Sequence, residues 1–122
     1  MDSDAGPGIG RTGEIAALAR YRAAGYRVVA RNWRCALGEV DLIMARGSTV
    51  VFCEVKARSG TSLGGPFDAV SASKQRKVRQ LAEAFLQSTD PWQEQDQIRF
   101  DVASVLVRRD GTTAVHVFED AF

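Results

Sequence analysis

The stretch Gly38-Glu39-Val40-Asp41-Leu42-Ile43-Met44-Ala45-Arg46-Gly47-Ser48-Thr49-Val50-Val51-Phe52-Cys53-Glu54-Val55-Lys56-Ala57 holds two apolar runs on either side of Gly47-Ser48. It reads as two strands, Glu39 to Ala45 and Thr49 to Ala57. A two-residue turn with glycine first is the type II′ pattern, which makes the pair antiparallel and sets its register. Arg46 then faces Thr49, Asp41 lands opposite Glu54, and Glu39 lands opposite Lys56. Opposed residues share a sheet face with Cβ atoms about 5 Å apart. Glu39, Asp41, Glu54 and Lys56 are therefore expected to form one polar cluster. Val40, Leu42, Cys53 and Val55 are expected on the other face, in the core. A single extra loop residue would separate Asp41 from Glu54.

An Asp on one strand and Glu-x-Lys on its neighbour can hold a divalent cation beside a phosphodiester and position a water for attack. Hard oxygen ligands suit Mg²⁺, or Mn²⁺ in its place, and Mg²⁺ takes only one or two carboxylates. Asp41 and Glu54 meet that count, with the backbone carbonyl of Val55 as a further oxygen. Side chains alternate along a strand, so Lys56 projects beside Glu54. Its ammonium can orient the water and offset developing negative charge. The plainer account is a pair of salt bridges on a solvated face, Glu39 with Lys56 and Asp41 with a nearby Arg. Against it, Asp and Glu placed opposite one another repel unless a cation lies between them.

Upstream, Met1 to about Gly10 is rich in Gly and Asp and is expected to be a mobile tail, leaving residues 11–122 as one domain. From Thr12 to Ala24 the pattern turns helical, with Ile15, Leu18, Ala19 and Arg22 at helical spacing and Gly25 as the stop. Glu14 shares a face with Leu18 and Tyr21. It either favours the helix N-terminus through the dipole or reaches toward Asp41 and Glu54. Tyr26 to Arg31 reads as a strand, and Asn32 as a turn residue.

Downstream, Arg58 to Pro66 reads as a flexible loop. A helix capped by Ser71 or Ser73 runs to about Gln87, with the apolar stripe Val78, Leu81, Ala82, Phe85 and Leu86. Lys74, Arg76, Lys77 and Arg79 crowd its first half. They form either a solvated face or, beside the carboxylates, a phosphate-contacting surface. Arg99 to Val107 is apolar on both faces, as in a central strand, with Arg99 and Asp101 set for an internal ion pair. Thr113 to Phe118 reads as an edge strand carrying His116 on the surface. Trp33 and Trp92 suit partial burial better than base stacking. The order α-β-β-β-α-β-β gives an α/β fold, a mixed sheet flanked by helices.

The bulk numbers narrow the function classes. The chain has 122 residues and a formal net charge of +1. That length accommodates one domain, and that charge excludes a polybasic protein. A nucleic-acid binder so weakly charged must gather its cations on one face. Two cysteines without a CxxC and a single histidine are too few soft ligands for a zinc site. Cys53, inside an apolar run, reads as a buried thiol. No signal peptide and no run of about 18 apolar residues are visible, so a cytoplasmic location without membrane contact is expected.

Gly13-Glu14, Gly25-Tyr26, Arg31-Asn32-Trp33-Arg34, Gly38 to Ile43, Phe52 to Arg58, Lys74 and Arg99-Phe100-Asp101 together resemble the bacterial YraN family. The resemblance spans about Gly10 to Phe118. That family comprises small proteins regarded as candidate endonucleases, similar to archaeal Holliday-junction resolvases within the PD-(D/E)xK nuclease superfamily. The resemblance implies a restriction-endonuclease-like fold and a Mg²⁺-dependent endonuclease acting on DNA, branched or junction DNA included. It implies that Glu14 is the helical carboxylate, Asp41 and Glu54 the metal-binding carboxylates and Lys56 the catalytic lysine. Lys74 matches a basic position that touches substrate. Cys53 departs from the pattern, in which an aliphatic residue is usual. By analogy with branched-DNA cleavage, a homodimer would double the basic surface and present two active sites. The rival from another class is a nucleic-acid-binding or adaptor protein on a nuclease scaffold, which binds DNA without cutting it.

Overall fold

The computed structural model describes residues 7–60, 71–88 and 97–122. The elements run α1 (Pro7–Ala23), β1 (Arg27–Cys35), β2 (Gly38–Arg46), β3 (Thr49–Ser59), α2 (Ala72–Ser88), β4 (Gln97–Val107) and β5 (Thr113–Phe118). The five strands form one sheet in the order β1-β2-β3-β4-β5. Only β3 and β4 are parallel; the other neighbouring pairs are antiparallel. Parallel neighbours need a crossover, and α2 lies on that connection. This is the mixed, restriction-endonuclease-like arrangement expected, with β4 inside the sheet and β5 at an edge.

The hairpin forms with the expected register. Arg46 pairs with Thr49, and the ladder runs without a slip to Leu42 opposite Cys53. Gly47 has φ 58, whereas Ser48 is not among the positive-φ residues. A positive φ at the first central position alone is the type II′ signature.

Period-two alternation sorts the core into two layers. Leu42, Met44, Val51, Cys53, Ala103 and Val105 meet Ala17, Leu18 and Tyr21 of α1. Ile43, Val50, Phe52 and Phe100 meet Val78, Leu81, Ala82 and Phe85 of α2 on the opposite face. Trp33 packs edge-on against Phe85, so its reading as a packing residue holds. Trp92 lies outside the described residues. Among the described helices, none is long and apolar enough to cross a membrane.

Four local expectations are corrected. First, α1 begins at Pro7, inside the segment read as a tail. Proline's fixed φ suits the first helical position, so it starts the helix even with glycines following. Second, of the helical set Ile15, Leu18, Ala19 and Arg22 only Leu18 is on the buried face of α1. Ile15 is half-exposed, while Ala17, Leu18 and Tyr21 are buried. The helix comes closest to the sheet at Gly13, where a Cβ would stand 2.6 Å from the Ala57 Cβ. Third, Asn32 is no turn residue. It sits within β1, as its one left-handed position, φ 51, and β1 continues to Cys35. Likewise Arg58 and Ser59, read as loop, extend β3, while residues 61–70 lie outside the described ones.

Fourth, Val40 is buried, but in the α2 layer with Ile43 rather than in the α1 layer with Leu42. The alternation breaks between them. Arg31 pairs with Leu42 and Trp33 with Val40, so Asn32 stands across from Asp41 at the break. The left-handed backbone of Asn32 turns the local face of β1, and β2 follows. Asp41 therefore sits where the sheet opens, rather than in its middle.

Candidate active site

Where β2 and β3 diverge, an open cleft of about 630 Å³ is lined by Glu39, Asp41, Glu54, Val55, Lys56, Ser71 and Lys74. It brings together the polar residues expected on one face of the hairpin and adds the start of α2. Val55 packs against the α1 layer, so alternation turns Glu54 and Lys56 toward the side of α2.

Asp41 is held by its backbone neighbour. Its Oδ2 accepts the Val55 N–H at 2.8 Å, filling a ladder position that the diverging strands leave vacant. Burial, with the negative charges of Glu54, Glu14 and Glu39, pushes the Asp41 carboxyl up to about 7 against the opposing effect of the Val55 N–H. No described arginine pairs with it, so the plain salt-bridge account fails at this residue.

Glu54 has a different partner. Its Oε2 lies 2.9 Å from Lys74 Nζ. Lys74 sits in the first turn of α2, where its N–H donates to the Ser71 hydroxyl at 3.1 Å, so of the two serines expected as caps Ser71 is the one that caps the helix. Glu39 pairs with Arg34 at 3.2 Å, not with Lys56. Lys56 takes part in none of the ion pairs among the described residues and lines the cleft. Arg76 and Lys77 are exposed on α2. Lys77 lies over the β1–β2 turn, its Cε 3.9 Å from where a Cβ on Gly38 would stand.

Glu14 is not a lining residue of the cleft. Because α1 begins at Pro7, Glu14 is well inside the helix, and the first turn contains no acid, so the dipole does not account for it. Its Oε1 accepts a hydrogen bond from Asn32 Nδ2 at 3.1 Å. Its charge is still close enough to help raise Asp41. Asn32 is thus a residue that sequence reasoning missed. The available signal was an asparagine inside a strand run, since Asn is one of the few residues that adopt a left-handed backbone. Arg34 was missed as the partner of Glu39, although the two face each other across the β1–β2 turn, and Ser71 was expected as a cap but not as a lining residue of the cleft.

A buried network underpins the site from the α1 side. Asp101, fully buried, accepts two hydrogen bonds from Arg99 at 2.9 Å each and one from the Tyr21 hydroxyl at 2.6 Å. It also accepts the Asp120 N–H at 3.0 Å. The expected internal ion pair is present, and it ties β4 to α1 and to the C-terminal turn. Burial drives the Tyr21 hydroxyl and the Cys53 thiol well above their usual ranges, so both stay protonated, and Cys53 is the buried thiol expected.

The donor set is suited to a hard cation. Among the described residues Asp41 and Glu54 each have one oxygen engaged, Oδ2 by the Val55 N–H and Oε2 by Lys74, with Oδ1 and Oε1 in no hydrogen bond or ion pair. Two carboxylates fit Mg²⁺, which keeps several waters. Among the described residues no group of three or more His, Cys, Asp or Glu side chains is arranged to hold a metal.

Comparison with known proteins gives the family. Residues 13–105, from the α1 glycine through β4, match the model of a family described as "Uncharacterised protein family UPF0102". A UPF0102 protein of Nocardia farcinica is 48% identical over 100 residues, covering 81% of this chain and 76% of that protein. One of Parafrankia sp. is 42% identical over 114 residues, covering 93% and 95%. One of Symbiobacterium thermophilum is 41% identical over 114 residues, again covering 93% and 95%. With the matched segment carrying both strands of the hairpin, the cleft and the β4 network, the chain belongs to the UPF0102 family, the YraN family of the sequence resemblance.

Proposed function

We propose that this protein is a divalent-metal-dependent endonuclease that hydrolyses phosphodiester bonds in DNA, branched DNA included. The observation that carries the reading is the meeting of Asp41, Glu54, Val55, Lys56 and Lys74 in one cleft. Carboxylates for a cation and ammonium groups for a phosphate thus stand side by side. Asp41 and Glu54 would hold Mg²⁺ or Mn²⁺, with the Val55 carbonyl as a further oxygen. When bound, the metal supplies charge neutralisation at the phosphate and lowers the pKa of a coordinated water.

The remaining roles belong to the chain. Lys56, without an ion-pair partner among the described residues, orients the attacking water and stabilises charge developing on the phosphate. Lys74, with Arg76 and Lys77 on the exposed face of α2, contacts the DNA backbone. Glu14 acts from the α1 side through its charge on Asp41. The location is cytoplasmic, and a homodimer would set two clefts on one branched substrate.

The test is cleavage of labelled linear, flapped and four-way-junction DNA in Mg²⁺ and Mn²⁺, with Lys56→Ala purified in parallel. Metal-dependent cutting by the parent chain, lost in the variant, is the expected result. Junction binding by both without cutting by either would overturn the nuclease reading in favour of a DNA-binding adaptor on a nuclease scaffold.

A further inference from the structure

The Glu54–Lys74 ion pair joins the two halves of the cleft, and its partners are unequal. Glu54 is fixed on β3 with its side chain 17% exposed, whereas that of Lys74 is 48% exposed. A lysine head on a four-carbon stem can leave its partner without moving the backbone. Its present position also works against the helix. Lys74 is in the first turn of α2, which contains no acid, and a cation there opposes the helix dipole. Glu54 offsets that cost, and an incoming phosphate would offset it equally well.

Resting on the metal-dependent reading above, we infer that Lys74 is a built-in counter-cation that couples DNA binding to metal binding. In the free protein it neutralises Glu54 and lowers the affinity of that carboxylate for a divalent cation. When a backbone phosphate enters the cleft, Lys74 exchanges Glu54 for the phosphate and frees the carboxylate. Metal and DNA then bind with positive cooperativity, and linkage makes the effect reciprocal: metal at Glu54 releases Lys74 for DNA. The other cleft residues do not replace it. Glu39 is paired with Arg34 outside this exchange, and Lys56 pairs with none of the described carboxylates.

The experiment is isothermal titration with Mn²⁺ alone, on the parent chain, on Lys74→Gln and on Lys74→Arg, which keeps the charge. The same titration is run with and without a short DNA duplex in the Lys56→Ala background, which lacks the proposed catalytic amine. Because Lys74 is on an exposed helix surface, the variants are expected to fold, and circular dichroism melts check this. Lys74→Gln should bind Mn²⁺ about tenfold more tightly without DNA, within the roughly 5–150-fold range of ordinary coupling. It should also lose the tightening that DNA produces, and Lys74→Arg should behave as the parent. Equal or weaker Mn²⁺ binding by Lys74→Gln would overturn the inference while leaving the metal site standing. No Mn²⁺ binding by any of the proteins would overturn the metal-dependent reading, and this inference with it.

Discussion

The carboxylate of Asp41 accepts the backbone N–H of Val55 at 2.8 Å, just beyond the point where the β2–β3 ladder ends at Leu42 and Cys53. One side chain thus takes over from the backbone as the strands part. The arrangement holds a carboxylate in a half-buried, negatively charged setting that raises it from 3.8 to about 7.

That shift makes a stability prediction. A carboxyl whose folded pKa lies above its unfolded value binds its proton more tightly when folded. Stability from this group is fully present below about pH 4 and is lost as pH rises to about 7. Asp41→Asn keeps an oxygen for the Val55 N–H and removes the titration. In EDTA, its stability relative to the parent should therefore rise between pH 4 and pH 8, with a ceiling of about 4 kcal/mol from the size of the shift. Urea denaturation at the two pH values measures this; a pH-independent difference would mean that Asp41 has an ordinary carboxylate pKa.

Asn32 combines a left-handed backbone with the hydrogen bond to Glu14, and two substitutions separate these roles. Asn32→Gly retains the backbone freedom and loses the amide, whereas Asn32→Ala loses both. The alanine variant should be less stable than the glycine variant by about 1–2 kcal/mol, the cost of a left-handed conformation for a residue with a Cβ. Any loss of DNA cleavage shared by both variants reports the hold on Glu14. Equal thermal stability of the two would show that the backbone at residue 32 is not constrained.

The close approach of α1 to β3 is tested at Gly13. A Cβ there would stand 2.6 Å from Ala57 Cβ and 3.7 Å from Val105 Cβ, so Gly13→Ala should cost about 1–3 kcal/mol by overpacking. Ala57→Gly in the same chain should recover part of that loss, because the two sites share one contact. Additive losses in the double variant would place the effect elsewhere, and chemical denaturation of all three variants decides.

In the buried network, Asp101→Ala would leave Arg99 without its bidentate partner and should destabilise the fold by about 3–5 kcal/mol. Tyr21→Phe removes one hydrogen bond to a charged group and should cost about 1.5–3 kcal/mol. Equilibrium unfolding in urea should rank the two in that order. A larger effect from Tyr21→Phe would assign the network's stability to the Tyr21 hydroxyl rather than to the Arg99–Asp101 pair.

Much of the fold is legible in the chain because its signals are local. Gly47-Ser48 between two apolar runs determines a turn type, the turn type determines a register, and the register sets Asp41 and Glu54 at neighbouring positions. The stripe Val78, Leu81, Ala82 and Phe85 determines the buried face of α2 in the same way, and Ser71 its start.

What only the tertiary structure decided depends on contacts between distant segments. Whether Lys74 or Lys56 neutralises Glu54 depends on where α2 docks on the sheet. Glu39 turns to its cross-strand neighbour Arg34 rather than to Lys56, and Glu14 finds its partner in the strand that follows its helix. The face of α1 that is buried follows from how closely Gly13 lets the helix approach Ala57. The break at Asn32 and Asp41 sends Val40 to the other layer. Local pattern carries strand, turn and register because backbone geometry transmits them residue by residue. Pairing among charged side chains is set by the docking of elements, which no local period encodes.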